Sequence, residues 1–351
     1  MTFDSPHGLL LDGQALVANW RWLARRGGRA ACGAAIKADG YGLGARDVAL
    51  RLAQAGCRDF FVATWAEAAA VAPVLQTAAG GVSLSVLHGV RDEDMALALS
   101  GIARPVLNTP QQIARWRAAD GGLCHVMVDT GMNRLGLSAA DVTSGAMDGL
   151  SLDVVMSHLA CADEPGHAMN ERQRKAFVAL TAGLGARRRS LCNSAGILLG
   201  GDYHFDLTRP GIALYGGVQV DDARGHIAQV VTPRAQLLQT RMVSPGESVG
   251  YNATFTAERP MRLGVLNLGY ADGYLRGFSG TGRALHDGTV MPVIGRISMD
   301  LTAIDISAAP DLGEGDWISI DFAMPWASET SGLSQYELLT GLGGRYQRQW
   351  I

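Results

Sequence analysis

The chain has 351 residues, 48% hydrophobic and 18% charged, with a formal net charge of -3. That length exceeds what one hydrophobic core usually serves, so two domains are expected. No basic block offers an electrostatic footprint for nucleic acid or an anionic membrane surface, which leaves small molecules and a second copy of the chain as partners.

The first eleven residues carry Asp4 and no Lys or Arg ahead of a very short apolar run, a poor secretory signal. No uninterrupted apolar stretch is long enough to span a bilayer. Cys32, Cys57, Cys124, Cys161 and Cys192 are odd in number and scattered without metal-ligand spacing, so they read as reduced core thiols in a cytoplasmic protein that holds no metal.

An apolar run, 31–36, reads as a short buried strand that ends at Lys37, and a glycine-rich turn (Gly40, Gly42, Gly44) leads into a helical pattern over 45–55. A strand therefore delivers one amine to a loop where the backbone can approach a ligand closely, with the Tyr41 hydroxyl at the same rim. Alone, such a lysine reads as a solvated charge. Further strands are expected at 60–63, 84–87, 105–107, 124–128, 152–156, 190–192 and 205–207, separated by Ala-rich helices. Eight strands with intervening helices in so short a span argue for an α/β architecture closed as a parallel (β/α)8 TIM barrel, because closure leaves no edge strand. Lys37, Arg134, His158 and Ser194 each follow a predicted strand, and side chains at that end of a barrel converge on one mouth. After Gly217 the pattern becomes strand-like over 230–243, 261–268, 290–306 and 317–322, broken by Pro-Gly, Asp-Gly and Glu-Gly turns, with helical periodicity only at 334–342. The second domain is mostly β.

The segment from Ala35 through Lys37 and Tyr41 to Gly44 resembles the pyridoxal phosphate (PLP) lysine motif of alanine racemases. Six further segments resemble that family in its order: Val128-Asp129-Thr130-Gly131-Met132-Asn133-Arg134-Leu135-Gly136, Ser157-His158-Leu159-Ala160, Asn193-Ser194-Ala195, Arg209-Pro210-Gly211-Ile212-Ala213-Leu214-Tyr215-Gly216, Gly269-Tyr270-Ala271-Asp272-Gly273 and Gly295-Arg296-Ile297-Ser298-Met299-Asp300. The resemblance implies a PLP-binding barrel over 10–217 and a β domain over 218–351 that residues 1–9 join.

It also implies roles. Lys37 is the Schiff-base lysine and one of two acid/base groups. Tyr41, Ser194, Gly211 and Ile212 hold the phosphate. Arg209 faces the pyridine nitrogen, and since a guanidinium can only donate, that nitrogen stays unprotonated and the electron sink is weakened. His158 links Arg209 to the second base, for which Tyr270 of the partner subunit in a homodimer is expected. Arg134 contacts the cofactor's phenolic oxygen and the substrate carboxylate, with Met299 and Asp300 of the partner nearby.

Without the resemblance, Asn193-Ser194 reads as a helix N-cap, Arg209 as a surface charge, His158 as a core histidine, and 295–300 as a bulged strand. The chain departs from the family at Met127, where many members carry a carbamylated lysine, and at Gly344, where many have a tyrosine; Tyr346 stands two residues on.

The expected activity is interconversion of L- and D-alanine, for peptidoglycan or D-alanine turnover. The alternatives are a racemase of broader scope acting on serine or other small residues, a non-catalytic PLP-binding homeostasis protein, and an amino-acid decarboxylase. The β domain argues against the second; the absence of a cysteine in Ile297-Ser298-Met299-Asp300 argues against the third.

Overall fold

The computed structural model describes residues 5–77 and 81–351. The chain divides into two compact units, one of residues 15–228 and one of the N-terminal 14 residues with 229–351.

In the first unit, seven strands run parallel in chain order: Ala34–Ala35, Asp59–Val62, Ser83–Val86, Arg104–Leu107, Cys124–Met127, Leu152–Met156 and Arg188–Ser190. An eighth, Leu207–Thr208, pairs in parallel with Ala31–Cys32, and the N–H groups of Asp206 and Arg209 donate to Arg189 and Cys192 at 3.0 and 2.9 Å, which closes the ring. Each expected strand is present. The first is interrupted at Gly33, where a Cβ would lie 2.7 Å from the Asp59 carbonyl oxygen. Phe61, Val106, Met127, Val154, Met156 and Leu207 fill the interior. Toward the N-terminal ends of the strands, Arg188 pairs with Asp59 and Asp153 at 2.9 Å and Arg104 with Asp153 at 2.5 Å. Charge thus plugs one end of the barrel and leaves the other for chemistry.

Helix Ala45–Ala55 buries Val48, Ala49 and Leu52, spaced to share one face, and stops at Gly56 with φ 115°. Burying each of the larger side chains contributes about 1.5–3 kcal/mol. Helix Trp65–Gln76 starts in a capping box formed by Thr64 and Glu67. The segment after Gly217 stays with the barrel as far as Ala228, because buried Asn19 donates to the Leu214 and Ala228 carbonyls and accepts the Ala228 N–H.

The second unit is an eight-stranded, largely antiparallel sheet in the order Met261–Leu266, Thr302–Asp305, Thr289–Ile294, Arg283–His286, Trp317–Ile320, Val231–Val243, His7–Leu11, Gln347–Trp350. The long strand Val231–Val243 also pairs with Met261–Leu266, past a register shift between Leu237 and Gln239. His7–Leu11 lies between Val231–Ala235 and Gln347–Trp350, so the described part of the N-terminal segment is a β-sheet strand here; residues 1–4 lie outside the described residues. The expected continuous strand over 290–306 is two, because Gly295 turns at φ 64° against the Val249 carbonyl. Helix Met324–Ser331 and strand Arg283–His286 carry no clear periodicity and were not anticipated. Among the described residues no helix is long and apolar enough to cross a membrane.

Candidate active site

Lys37 opens a turn unlike an ordinary glycine-rich loop. Ala38, Asp39 and Tyr41 join Gly40 in left-handed backbone, with φ between 52° and 64°. For non-glycine residues this costs roughly 1–2 kcal/mol each, and such strain persists only where neighbours over-determine it. The Asp39 carboxylate accepts the Ala45 N–H at 2.8 Å, Tyr41 stacks on Tyr215 at 4.6 Å, and Glu67 accepts the Ala38 N–H at 2.7 Å. Burial, then the Arg134 guanidinium, pull the Lys37 ammonium below the usual lysine range, while Glu67 opposes them.

The loops after the later strands bring the other expected residues to the same mouth. Gly211 sits under the Tyr41 hydroxyl so closely that a Cβ would meet it at 2.2 Å. Ser194 Oγ accepts the N–H groups of Gly211 and Ala213 at 2.9 and 3.3 Å, and Ile212 opens a single 3-10 turn, Ile212–Tyr215. The Tyr41 and Ser194 hydroxyls thus meet beside the one position in this turn that has no side chain, Gly211. Asn193 caps the adjacent turn, its Oδ1 accepting from Gly196 at 2.9 Å, so the capping reading of Asn193-Ser194 also holds.

Arg209 is buried, not a surface charge. Its guanidinium donates to Ser190 Oγ and the Ser157 carbonyl, lies 5.9 Å from the centre of the Phe61 ring, and is pulled by burial to about 10, which leaves it charged at neutral pH. His158 is pushed down to about 3, first by burial and then by Arg209, Arg134 and Lys37, so it is a neutral ring. Arg134 is exposed on a loop folded around the Asp129 carboxylate, which accepts from Gly131, Met132 and Asn133 at 2.9 to 3.2 Å. Among the described residues its guanidinium has no hydrogen-bond or ion-pair partner. Gln173 ties this loop to the next, donating to Thr130 Oγ1 and the His158 carbonyl and accepting from the Ala160 N–H.

The remaining expected residues belong to the β unit. Tyr270 begins a 3-10 turn, its N–H donating to Ser298 and that of Ala271 to Met299, both at 3.0 Å. Arg276 lies 5.2 Å from the centre of its ring. Met299 is 54% exposed. The Asp300 carboxylate is paired with Arg345, whose guanidinium also pairs at 2.7 Å with fully buried Asp272. Tyr346 is buried edge-on against His7 within this unit.

Sequence reasoning missed Glu67 and Gln173, which a capping-box pattern and a helix position could only partly signal. It also missed Tyr251, which is 65% exposed between Gly250 and Asn252, both at positive φ. With Met242, Arg296, Ser298 and Leu301 it lines a cavity of about 600 Å³.

Fold and site together define a parallel barrel whose mouth presents a half-buried amine, two hydroxyls beside Gly211 and a buried, donor-only guanidinium. The models of the alanine racemase N-terminal and C-terminal domains match residues 11–219 and 230–350. The chain is 40% identical to a biosynthetic alanine racemase of Agrobacterium fabrum, over 99% of this chain and 94% of that one. It is 39% identical to a catabolic alanine racemase of Mesorhizobium japonicum, over 98% and 93%. A crystal structure of alanine racemase from Bartonella henselae with covalently bound pyridoxal phosphate superposes with a TM-score of 0.89 at 34% identity, covering 99% of this chain and all of that one. The chain belongs to the alanine racemase family.

Proposed function

We propose that this chain is a PLP-dependent alanine racemase, an isomerase interconverting L- and D-alanine, with PLP bound by the barrel domain over 10–217. The observation that carries this reading is the Lys37 amine, delivered by a strand to the barrel mouth and biased by burial toward its neutral, nucleophilic form. The residues present fit the cofactor: Gly211 lets the Tyr41 hydroxyl close on the backbone beside Ser194, and Tyr41, Ser194, Gly211 and Ile212 are the groups that would hold its phosphate. When bound, PLP supplies an electron sink for a deprotonated α-carbon. Arg209 can only donate, so toward a pyridine nitrogen it would favour the unprotonated form and disfavour reactions that need fuller delocalisation. Neutral His158 adds no charge to the mouth. Arg134, exposed on its loop and acting on the Lys37 amine, would receive the substrate carboxylate.

Racemisation needs a proton taken from one face and returned on the other, and Lys37 serves one face. A tyrosine of the partner subunit's β domain, in a homodimer, serves the other. Tyr270 is the expected residue; exposure supports Tyr251 instead, since it stands clear of its own unit beside Met242 and Leu301, in a strained loop of the kind found at functional sites. The partner's Met299 would contact the substrate carboxylate through its backbone. Asp300, paired with Arg345, acts at most by shaping that loop. The simplest setting is cytoplasmic supply of D-alanine for peptidoglycan or its turnover.

Incubation of the purified protein with single L-amino acids in heavy water, followed by chiral analysis, tests the reading; α-deuterated D-alanine is expected, and D-serine alongside it would indicate broader scope. Borohydride should fix the cofactor to the Lys37 peptide. No exchange with any small amino acid, or trapping on another lysine, would sink it.

A further inference from the structure

The left-handed turn after Lys37 has hydrogen bonds of its own, Gly42 to Ala38 and Gly44 to Asp39 at 2.8 Å, and a further anchor 29 residues along the chain from Ala38. Glu67 Oε1 accepts the Ala38 N–H at 2.7 Å. Its other oxygen, Oε2, accepts the N–H groups of Ala63 and Thr64 at 2.7 and 3.1 Å, and Thr64 Oγ1 accepts the Glu67 N–H at 3.2 Å. A capping box uses only one oxygen of its carboxylate for the helix start. Here the second oxygen reaches the residue next to the reactive lysine.

We propose that Glu67 is a positioning residue for Lys37, one carboxylate fastening the left-handed turn at Ala38 to the start of helix Trp65–Gln76. The proposal deepens the racemase reading and rests on it for its catalytic consequence. A carboxylate there satisfies three backbone donors at once, so the amine leaves the strand in one direction rather than over a fan of loop conformations. It is also the only negative charge acting on the Lys37 amine among the described residues; the other groups facing it are cationic Arg134 and neutral His158.

The Glu67→Gln variant carries one oxygen and an NH2 group, so it cannot accept on both sides. Thr64→Ala is the control, removing the capping hydroxyl while leaving the Ala38 contact. By hydrogen exchange on the full chain, Ala38 should exchange at least roughly 10-fold faster in Glu67→Gln and unchanged in Thr64→Ala. In the loaded enzyme the pH midpoint of the cofactor's visible band should fall by about one unit in Glu67→Gln. Its kcat should drop roughly 10- to 100-fold with KM nearly constant. Glu67→Asp, one methylene shorter but still charged, should lose Ala38 protection while keeping the band midpoint. Unchanged Ala38 exchange in Glu67→Gln, or a Thr64→Ala variant that matches it in every readout, would overturn the proposal and leave Glu67 a helix cap. A colourless, inactive wild type would overturn the racemase reading instead, and the exchange result would still decide the clamp.

Discussion

The barrel mouth and the loops of the β unit hold their functional residues by opposite means. Around Lys37 the groups are mutually perturbed and mostly buried: three non-glycine residues sit in left-handed backbone, His158 is pushed to about 3, and among the described residues Arg209 has no carboxylate partner. In the β unit the strongest charges are neutralised in pairs, with Arg345 bridging Asp272 and Asp300, and the apolar groups are exposed, Tyr251 at 65% and Met299 at 54%. A mouth whose own fold has already shifted its titrations is chemically prepared within one unit. Rigid, exposed loops present groups without completing a site, the arrangement expected where a second subunit receives them.

The comparison breaks most visibly at the tyrosines. If a β-unit tyrosine acts on the partner's Lys37 site, replacing the true second base by phenylalanine should slow racemisation by roughly 10²- to 10⁴-fold, and the other tyrosine far less. Tyr251→Phe is expected to show the larger loss in heavy-water kinetics; the reverse order would restore Tyr270. Mixed Lys37→Ala and Tyr251→Phe protomers should regain activity, and no rescue after demonstrated subunit exchange would contradict the shared site.

A smaller effect tests whether the barrel prepares its own cofactor site. Gly211→Ala forces a methyl group against the Tyr41 hydroxyl, an overpacking cost of about 1–3 kcal/mol. PLP affinity by equilibrium dialysis should fall by roughly 5- to 150-fold, with secondary structure intact. Unchanged affinity would mean the cradle lies elsewhere.

Acid should weigh most on the barrel, although burial also holds His7 of the β unit below the usual histidine value. His125 and His158 are both pushed to about 3, mainly by burial. Between pH 6.5 and 3 the unfolded chain therefore binds protons that the folded barrel refuses, and stability present above 6.5 is lost as pH falls. The slope approaches about 1.4 kcal/mol per pH unit for each histidine. Urea unfolding followed at pH 7, 6 and 5 checks this; a flat profile would show that these rings are not held neutral.

The smallest expected effect is none. Met127 is packed in the barrel interior and cannot form a carbamate, so activity should be indifferent to removal of carbon dioxide and addition of bicarbonate. Bicarbonate dependence would reveal a lysine elsewhere supporting Arg134.

The eight barrel strands were legible because short apolar runs between Ala-rich helices leave few alternatives, and helix Ala45–Ala55 was bounded by its glycines. The mouth residues were legible as motifs because each follows a strand. The β unit was read less well. Its hairpins announced themselves by turn residues, but a single glycine split 290–306, and strand Gln347–Trp350 reads as polar until its neighbour His7–Leu11 is known.

By itself, then, the sequence determined the alternation of strand and helix, the change from strand–helix alternation to a mostly β pattern and the placement of one amine at a strand end, all local properties of hydrophobic period and turn chemistry; the boundary at Ala228 rather than Gly217 was set by Asn19. Tertiary structure alone decided which backbone would be left-handed, because the turn at Ala38 and Asp39 is met by groups remote in the chain, Glu67 at the Ala38 N–H and Tyr215 against Tyr41. It likewise decided that Arg209 is buried rather than solvated and that Tyr251 rather than Tyr270 stands exposed, since burial and charge pairing depend on neighbours remote in the chain.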